Sequence, residues 1–323
     1  FTNEYIYKQT NDEIEAVRAL ELETAAILSA GQQPSPHKIL CLASYKALHT
    51  YDWSELLIVT EEIKDVVVRQ VIEPQEENTL KSEVHLLRKI TDEISSKVRD
   101  QYEAHPYPRW VNLALLLKPE TISKITRQIN LKLSNNKINE VQAPNILIAG
   151  CGTGKHSIQT ASRFKNCKAL AIDLSLSSLA YAKRKTKESS LENIEYMQAD
   201  ILDLAKLEQK FDIIESSGVL HHMHDPMAGW QVLTNRLKPG GLMRLGLYSD
   251  LARQDIVKIR EEISQLEITP TDDTMRSFRY SIIDSDEEHH IRISKSFDFY
   301  SLSTFRDLLF HVKEHRYTLL KIK

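Results

Sequence analysis

The sequence predicts an α/β fold: a mostly parallel sheet with flanking helices, preceded by a helical domain and followed by a helical extension. Three observations predict it. From position 145, short apolar runs alternate with stretches of helical period, the pattern of buried strands joined by crossover helices. The first run ends in three glycines, "NILIAGCGTGKHSIQTA" at 145–161. Before position 98 the apolar residues recur at helical spacing only.

Taken in order, "DEIEAVRALELETAAILSA" spaces Ile14, Val17, Leu20, Ala25 and Leu28 at helical intervals. "SPHKILCLASYKALHTY" opens on a Ser-Pro start signal, and "TLKSEVHLLRKI" reads as a further amphipathic helical segment. "LLIVTEEIKDVVVRQVIE" carries more apolar surface than an isolated layer can hide. Residues 1–98 are therefore expected to pack on the rest of the chain or to form a homodimer. In "VRDQYEAHPYPRW", 98–110, Pro106 and Pro108 push His105 and Tyr107 toward extended geometry. A helix should end near Glu103, and residues 99–144 should hold an aromatic cap loop and linker helices. The core, 145–266, offers the strands "NILIAG", "KALAID", "IEYMQAD", "FDIIESSG" and "GLMRLGLYS". Helices are expected at 155–164, 175–189, 202–208, 226–237 and 251–266. Beyond 267 the alternation stops and "STFRDLLFHVKEHRY" looks helical. The extension 267–323 is expected to be incomplete at Lys323. The opening at Phe1 rather than Met suggests a trimmed or disordered start, or a longer protein.

The 323 residues are 41% hydrophobic and 27% charged, enough to bury a real core. A net charge of −3 argues against a general nucleic-acid binder. The basic run "YAKRKTK", 181–187, could touch RNA but is expected to be a solvated helix face. Cys41, Cys151 and Cys167 stand at no metal or disulfide spacing, which suits a reducing, cytoplasmic setting. No run approaches the roughly 18 apolar residues of a membrane span.

The glycine loop fits two phosphate-binding templates poorly. A P-loop, G-x-x-x-x-G-K-[ST], would need glycine where the chain has Ala149 and Ser or Thr where it has His156. Lys155 is then expected to face solvent. A dinucleotide fingerprint needs G-x-G-x-x-G, whereas Gly150, Gly152 and Gly154 make G-x-G-x-G. A ligand that needs bare backbone but no pyrophosphate site is S-adenosylmethionine, whose zwitterionic tail can pass close to the glycines and reach the helix N-terminus. Asp173, nineteen residues after Gly154, ends the second strand, where a carboxylate can take both ribose hydroxyls. Asp200 ends the third strand, where it can accept from an adenine amino group. "LKPGG", 237–241, should make a sharp turn into the fifth strand. Each has a plain alternative as a helix cap or turn.

With these pieces in register, residues 145–249 resemble a class I S-adenosylmethionine-dependent methyltransferase, with a Rossmann-like core. The stretches that carry the resemblance are "ILIAGCGTGKHS", "ALAIDLS", "MQADIL", "FDIIESSGVLHHMHDP" and "LKPGGLMRLGLYS". It implies S-adenosylmethionine as cofactor, held by Gly150, Cys151, Gly152, Gly154, Asp173, Leu174, Asp200, Ile201 and Glu215. Many relatives carry an acidic residue just before the first glycine, where this chain has Ala149. Such cores also normally end in a hairpin of strands six and seven, and none is readable after 267. "VRDQYEAHPYPRW" and "FRDLLFHVKEHRYTL" are similar to segments of bacterial methyltransferases associated with tetratricopeptide repeats and of rickettsial outer-membrane-protein lysine methyltransferases. That similarity makes a protein lysine side chain the first acceptor to consider. A small molecule is the rival, and a non-catalytic cofactor-binding scaffold is the third reading.

A lysine acceptor must lose its charge, which burial among aromatic rings promotes. Tyr102, Tyr107, Trp110 and Tyr248 could provide such rings, and aromatic faces also suit a sulfonium. Tyr107 and Tyr248 are therefore taken as acceptor-side candidates, and Tyr102 and Trp110 as cofactor contacts. Tyr107 and Trp110 could equally be simple packing. In "HHMHD", 221–225, the histidines lack zinc-helix spacing, so no metal is expected there. His221 and His222 are instead expected to line the acceptor pocket, because the fourth strand's end, shared with Ser217, faces the transferred methyl group.

Overall fold

The computed structural model describes residues 4–115 and 118–322. Phe1, Thr2, Asn3, Leu116, Leu117 and Lys323, which fall within three of the domains expected from the sequence, lie outside the described residues. The chain divides into two compact units, one of Phe1–Thr79 with Lys258–Phe310 and one of Leu80–Val257 with His311–Lys323.

The first unit is helical. Thr10 and Glu13 form a reciprocal capping box at the start of Asn11–Ser29, and Pro36 opens Pro36–Tyr45 at a position that needs no backbone donor. Leu28, Ile39, Leu42, Leu48, Val67 and Val71 make its core. The buried Gln70 is satisfied there, accepting from Leu48 N at 3.0 Å and donating to Ala43 O at 3.2 Å. Helices Asp272–Ile283, Glu288–Ile293 and Leu302–Leu309 belong to the same unit. The Glu4 carboxylate accepts from Ser303 N at 2.6 Å and from its hydroxyl at 2.9 Å.

The second unit is built on a six-stranded sheet, all parallel among the described residues. Its strands are β1 (His85–Leu86), β2 (Asn145–Ala149), β3 (Lys168–Asp173), β4 (Ile194–Gln198), β5 (Phe211–Ser217) and β6 (Leu237–Gly246), in the order β1-β4-β3-β2-β5-β6. Alternation in β2 sends Ile146 and Ile148 to one face, with Ile158, Ala161 and Leu179. Leu147 and Ala149 go to the other, with Ile201, Leu220 and Leu233. Because β2→β3→β4 proceeds one way and β5→β6 the other, the order reverses beside β2. In open parallel sheets that reversal leaves a crevice at the strands' carboxyl ends.

Four expectations need correction. The helix expected through "STFRDLLFHVKEHRY" stops at Leu309. The helix expected through "TLKSEVHLLRKI" stops at Lys81, and His85–Leu86 pair with β4 instead. "LKPGG" is not a turn before the last strand but an irregularity inside it: Phe211 pairs with Leu237 and Ile213 with Leu242, so Lys238–Gly241 loop out. The run 181–187 is not a solvated face. Arg184 and Lys185 are buried; Lys185 Nζ donates to Val111 O at 3.0 Å and to Glu188 at 2.7 Å, and Lys183 pairs with Glu83 at 2.7 Å. Lys155 is exposed as expected, and no described helix is long and apolar enough to cross a membrane.

The glycine positions differ in what they tolerate. Gly154 has φ +86°, and a Cβ there would meet the Ala182 Cβ at 2.6 Å and its Cα at 2.9 Å. Gly31 has φ +74° with nothing within 4 Å. Gly154→Ala should therefore cost about 3 kcal/mol or more, combining backbone strain with a clash against a helix backbone. Gly31→Ala should cost about 1 kcal/mol. Thermal melting of the two variants, at roughly 2–4 °C per kcal/mol, checks the order.

Candidate active site

The carboxyl ends of β2 and β3 are tied together by main-chain and carboxylate bonds. After Ala149 the chain turns through Gly150, Gly152 and Gly154, all at positive φ (+77°, +52° and +86°). Gly150 N and Cys151 N both donate to Ile172 O at 2.9 Å. The Asp173 carboxylate accepts from Gly152 N at 2.8 Å with one oxygen and from Ser175 N at 3.0 Å with the other. Burial pushes the Asp173 carboxyl up, opposed by hydrogen bonds from the backbone N–H groups of Ser175 and Gly152. Each of its oxygens keeps acceptor capacity.

The segment after helix Glu93–Ala104 lies directly on this loop. A Cβ on Gly152 would stand 2.8 Å from the Tyr107 carbonyl oxygen, so only glycine admits that approach. Thr153 Oγ1 donates to Pro108 O, and the Trp110 indole N–H donates to Thr153 O at 3.2 Å. Tyr181 OH donates to Trp110 O. The Glu103 carboxylate caps helix Leu176–Glu188, accepting from Leu176 N, from Ser177 N at 3.2 Å and from Ser177 Oγ at 2.6 Å. The helix that follows Asp173 is thus anchored by a residue seventy positions upstream.

Other candidates are turned to internal work. The Cys151 thiol is buried in the core beneath the loop, and burial pushes it well up. Ile201 is buried on the opposite face of the sheet. Leu174 offers its carbonyl to Gln198 Nε2 at 2.8 Å. Asp200, 4% exposed, caps the turn that follows it by accepting from Leu202 N at 2.9 Å, and burial raises its carboxyl. Glu215 sits beside Ile148 in the sheet and accepts from His156 Nε2 and Thr160 Oγ1, both at 2.6 Å. Burial alone would raise its carboxyl; the His156 and Thr160 hydrogen bonds and the nearby His156 and Arg244 charges outweigh it and hold it below the usual range.

The ends of β5 and β6 carry a cluster of rings. His221 stacks on Tyr248 with centroids 3.6 Å apart, and His222 stacks on His311 at 3.4 Å. His222 Nδ1 donates to Lys313 O at 2.7 Å, and Tyr102 OH meets His311 Nε2 at 3.1 Å. Arg253 lies over the Tyr248 ring at 3.8 Å and is held by the buried Glu314 carboxylate, 3.0 Å from its Nε. His221 is 1% exposed, and neither ring nitrogen has a hydrogen-bond partner. Burial, with the charges of His222, Arg253 and His315, lowers its pKa from 6.5 to about 2. It stays neutral at any working pH and is too weak a base to take a proton efficiently. Beside Tyr248, an open cavity of about 480 Å³ is lined by Leu247, Leu251, Tyr317, Leu319, Leu320 and Ile322.

The structure thus brings Tyr107 and Trp110 onto the loop of Gly150, Gly152 and Gly154, and gathers Tyr102, His221, His222 and Tyr248 into a second group. Glu103, His311, Arg253 and Glu314 were not singled out by sequence, since each acts through partners distant along the chain.

His221 makes a pH prediction. Its folded pKa lies below its unfolded value, so the unfolded chain binds the extra proton and stability falls as pH drops through 6.5. Between pH 7.5 and 5.5 this one group should remove about 1.4 kcal/mol. His221→Phe, which keeps a ring on Tyr248, should abolish that component, as read from urea midpoints at the two pH values.

Residues 146–241 match the family model described as a methyltransferase domain. An uncharacterized protein of Synechococcus sp. is 36% identical over 125 residues, covering 38% of this chain and 30% of that protein. Malonyl-[acyl-carrier protein] O-methyltransferase 2 of Ilyobacter polytropus is 28% identical over 123 residues, covering 38% of this chain and 45% of that enzyme. The structure of PKMT2 from Rickettsia typhi in complex with AdoHcy is similar at a TM-score of 0.44 and 22% identity, over 54% of this chain and 36% of that one. The chain spans less than half the length of these curated relatives. Residues 146–241, which build the glycine loop and the strand ends around it, thus match a methyltransferase domain.

Proposed function

We propose that this protein transfers a methyl group from S-adenosylmethionine to an acceptor presented at the ring cluster of His221, His222 and Tyr248. The observation that carries the reading is the bond from Gly152 N to Asp173, which sets a bare main-chain loop beside a carboxylate with spare acceptor capacity. The donor set suits this cofactor. A carboxylate at the end of β3 disfavours phosphate and suits hydroxyl groups. When bound, the cofactor supplies the electrophilic methyl and its own leaving group. The chain orients the acceptor and excludes water. His221, buried and stacked on Tyr248, holds that ring in place, and its low pKa removes it as a general base.

For the acceptor, a protein lysine rests on the similarity of 98–110 and of "FRDLLFHVKEHRYTL" to lysine methyltransferase segments. A small apolar acceptor is favoured by a different observation. Arg253 already occupies a face of Tyr248, and the adjoining cavity is lined by leucines and isoleucine. An ammonium gains little from a ring that already carries a cation.

Calorimetry with S-adenosylhomocysteine should show binding, weakened about 10- to 100-fold by Asp173→Asn, the scale of hydrogen bonds to a charged group. Unchanged affinity would remove Asp173 from the site. Incubation with methyl-labelled cofactor and a cell lysate then separates the acceptors. Label on lysine supports the first reading and label in the organic extract the second. Binding without any label would leave a non-catalytic scaffold.

A further inference from the structure

We propose that Glu262, His289 and His290 form a binding site for a divalent transition-metal ion, zinc being the ion their donor set suits. The site lies within the helical unit and is independent of the methyl-transfer reading. Glu262 is on helix Gln254–Gln265, and both histidines are on helix Glu288–Ile293. One ligand atom from each residue lies within 4.8 Å of the other two. His289 Nε2 is 2.6 Å from one Glu262 oxygen, and His290 Nε2 is 2.8 Å from the other.

Three features favour a cation over a carboxylate that merely accepts two hydrogen bonds. First, both imidazoles present the same nitrogen, Nε2, to one carboxylate, each to a different oxygen, with centroids 4.4 Å apart and planes tilted by 50° rather than stacked. Two imidazoles and a carboxylate are a common donor set for zinc, with a fourth position left for water. Second, the histidine side chains are only 12% and 10% exposed while Glu262 is 32% exposed, so the donors are held by packing and the open position faces solvent. Third, the residues just before the histidines are Asp284, Asp286, Glu287 and Glu288, a local negative potential that draws cations. His290 Nδ1 is buried without a partner, so the ring is oriented from its Nε2 edge alone. Metal binding frees the Nε2 lone pair of each imidazole, its proton going to solvent or to the other ring nitrogen. No covalent or redox step is involved.

The test uses the full chain, stripped with a chelator, and titrates zinc chloride by calorimetry and cobalt(II) as an absorption probe. We expect one zinc equivalent bound at micromolar or tighter affinity, visible cobalt bands of a site with nitrogen ligands, and a melting temperature raised by zinc. Glu262→Gln, and separately His289→Gln with His290→Gln, should weaken zinc binding at least about 100-fold and abolish the zinc-dependent shift. Circular dichroism confirms that each variant is folded. Binding only at millimolar zinc, or one equivalent retained unchanged by both variants, overturns the proposal. S-adenosylhomocysteine binding, measured in the same variants, should be unaffected, so the two readings fail separately.

Discussion

The second unit depends on one close approach: the Tyr107 carbonyl rests on Gly152 at a distance that no side chain would allow. The loop that meets it is shaped by three positive-φ glycines and by the Asp173 carboxylate, which draws Gly152 N toward β3. Segment 103–111 is in turn fixed by Thr153, Tyr181 and Lys185, and by Glu103 on the start of helix Leu176–Glu188. Loop, strand end, helix cap and aromatic segment therefore constrain one another. A ligand entering beside Gly152 meets backbone already held in place, which lowers the ordering cost of binding.

The electrostatics of the site follow from what each carboxylate is used for. Asp173 and Asp200 are both raised by burial, and both serve backbone N–H groups. Glu215 goes the other way, because His156 and Thr160 bond directly to it. It stands in the sheet beside Ile148, one residue from the Ala149 position where many methyltransferases carry an acid. Its charge is paired with His156.

What was legible in the sequence was local or periodic. The strands at 145, 168, 194 and 211, the glycine loop and the carboxylate ending β3 all follow from apolar runs and short spacings. What was missed required a partner far along the chain. β1 is two residues long and has no pattern of its own; only its pairing with β4 makes it a strand. "YAKRKTK" looks like a solvated face because helical charge usually is, yet Lys185 is buried against Val111 O, and nothing in 181–187 announces that. "LKPGG" has turn chemistry and does turn, but within β6, since Gly241 lies against the main chain of Asp212. The ring cluster was half legible: His221, His222 and Tyr248 follow strand ends, whereas His311 arrives from ninety residues away.

The ring cluster also limits the chemistry open to an acceptor. A general base works best with a pKa near the working pH. His221 is far below that, because it is buried among Arg253, His222 and His315 with no carboxylate beside it. Glu314, the nearby acid, is committed to Arg253 through two hydrogen bonds. Neither group is therefore suited to act as a general base. On the proposed reading, an acceptor at this cluster would either lose its proton before it enters or carry an acidic proton of its own. An amine meets the first condition and a phenol-like hydroxyl or carboxylic acid the second. On the proposed reading, the Arg253 guanidinium over Tyr248, paired with Glu314, leaves that ring little to offer a further cation.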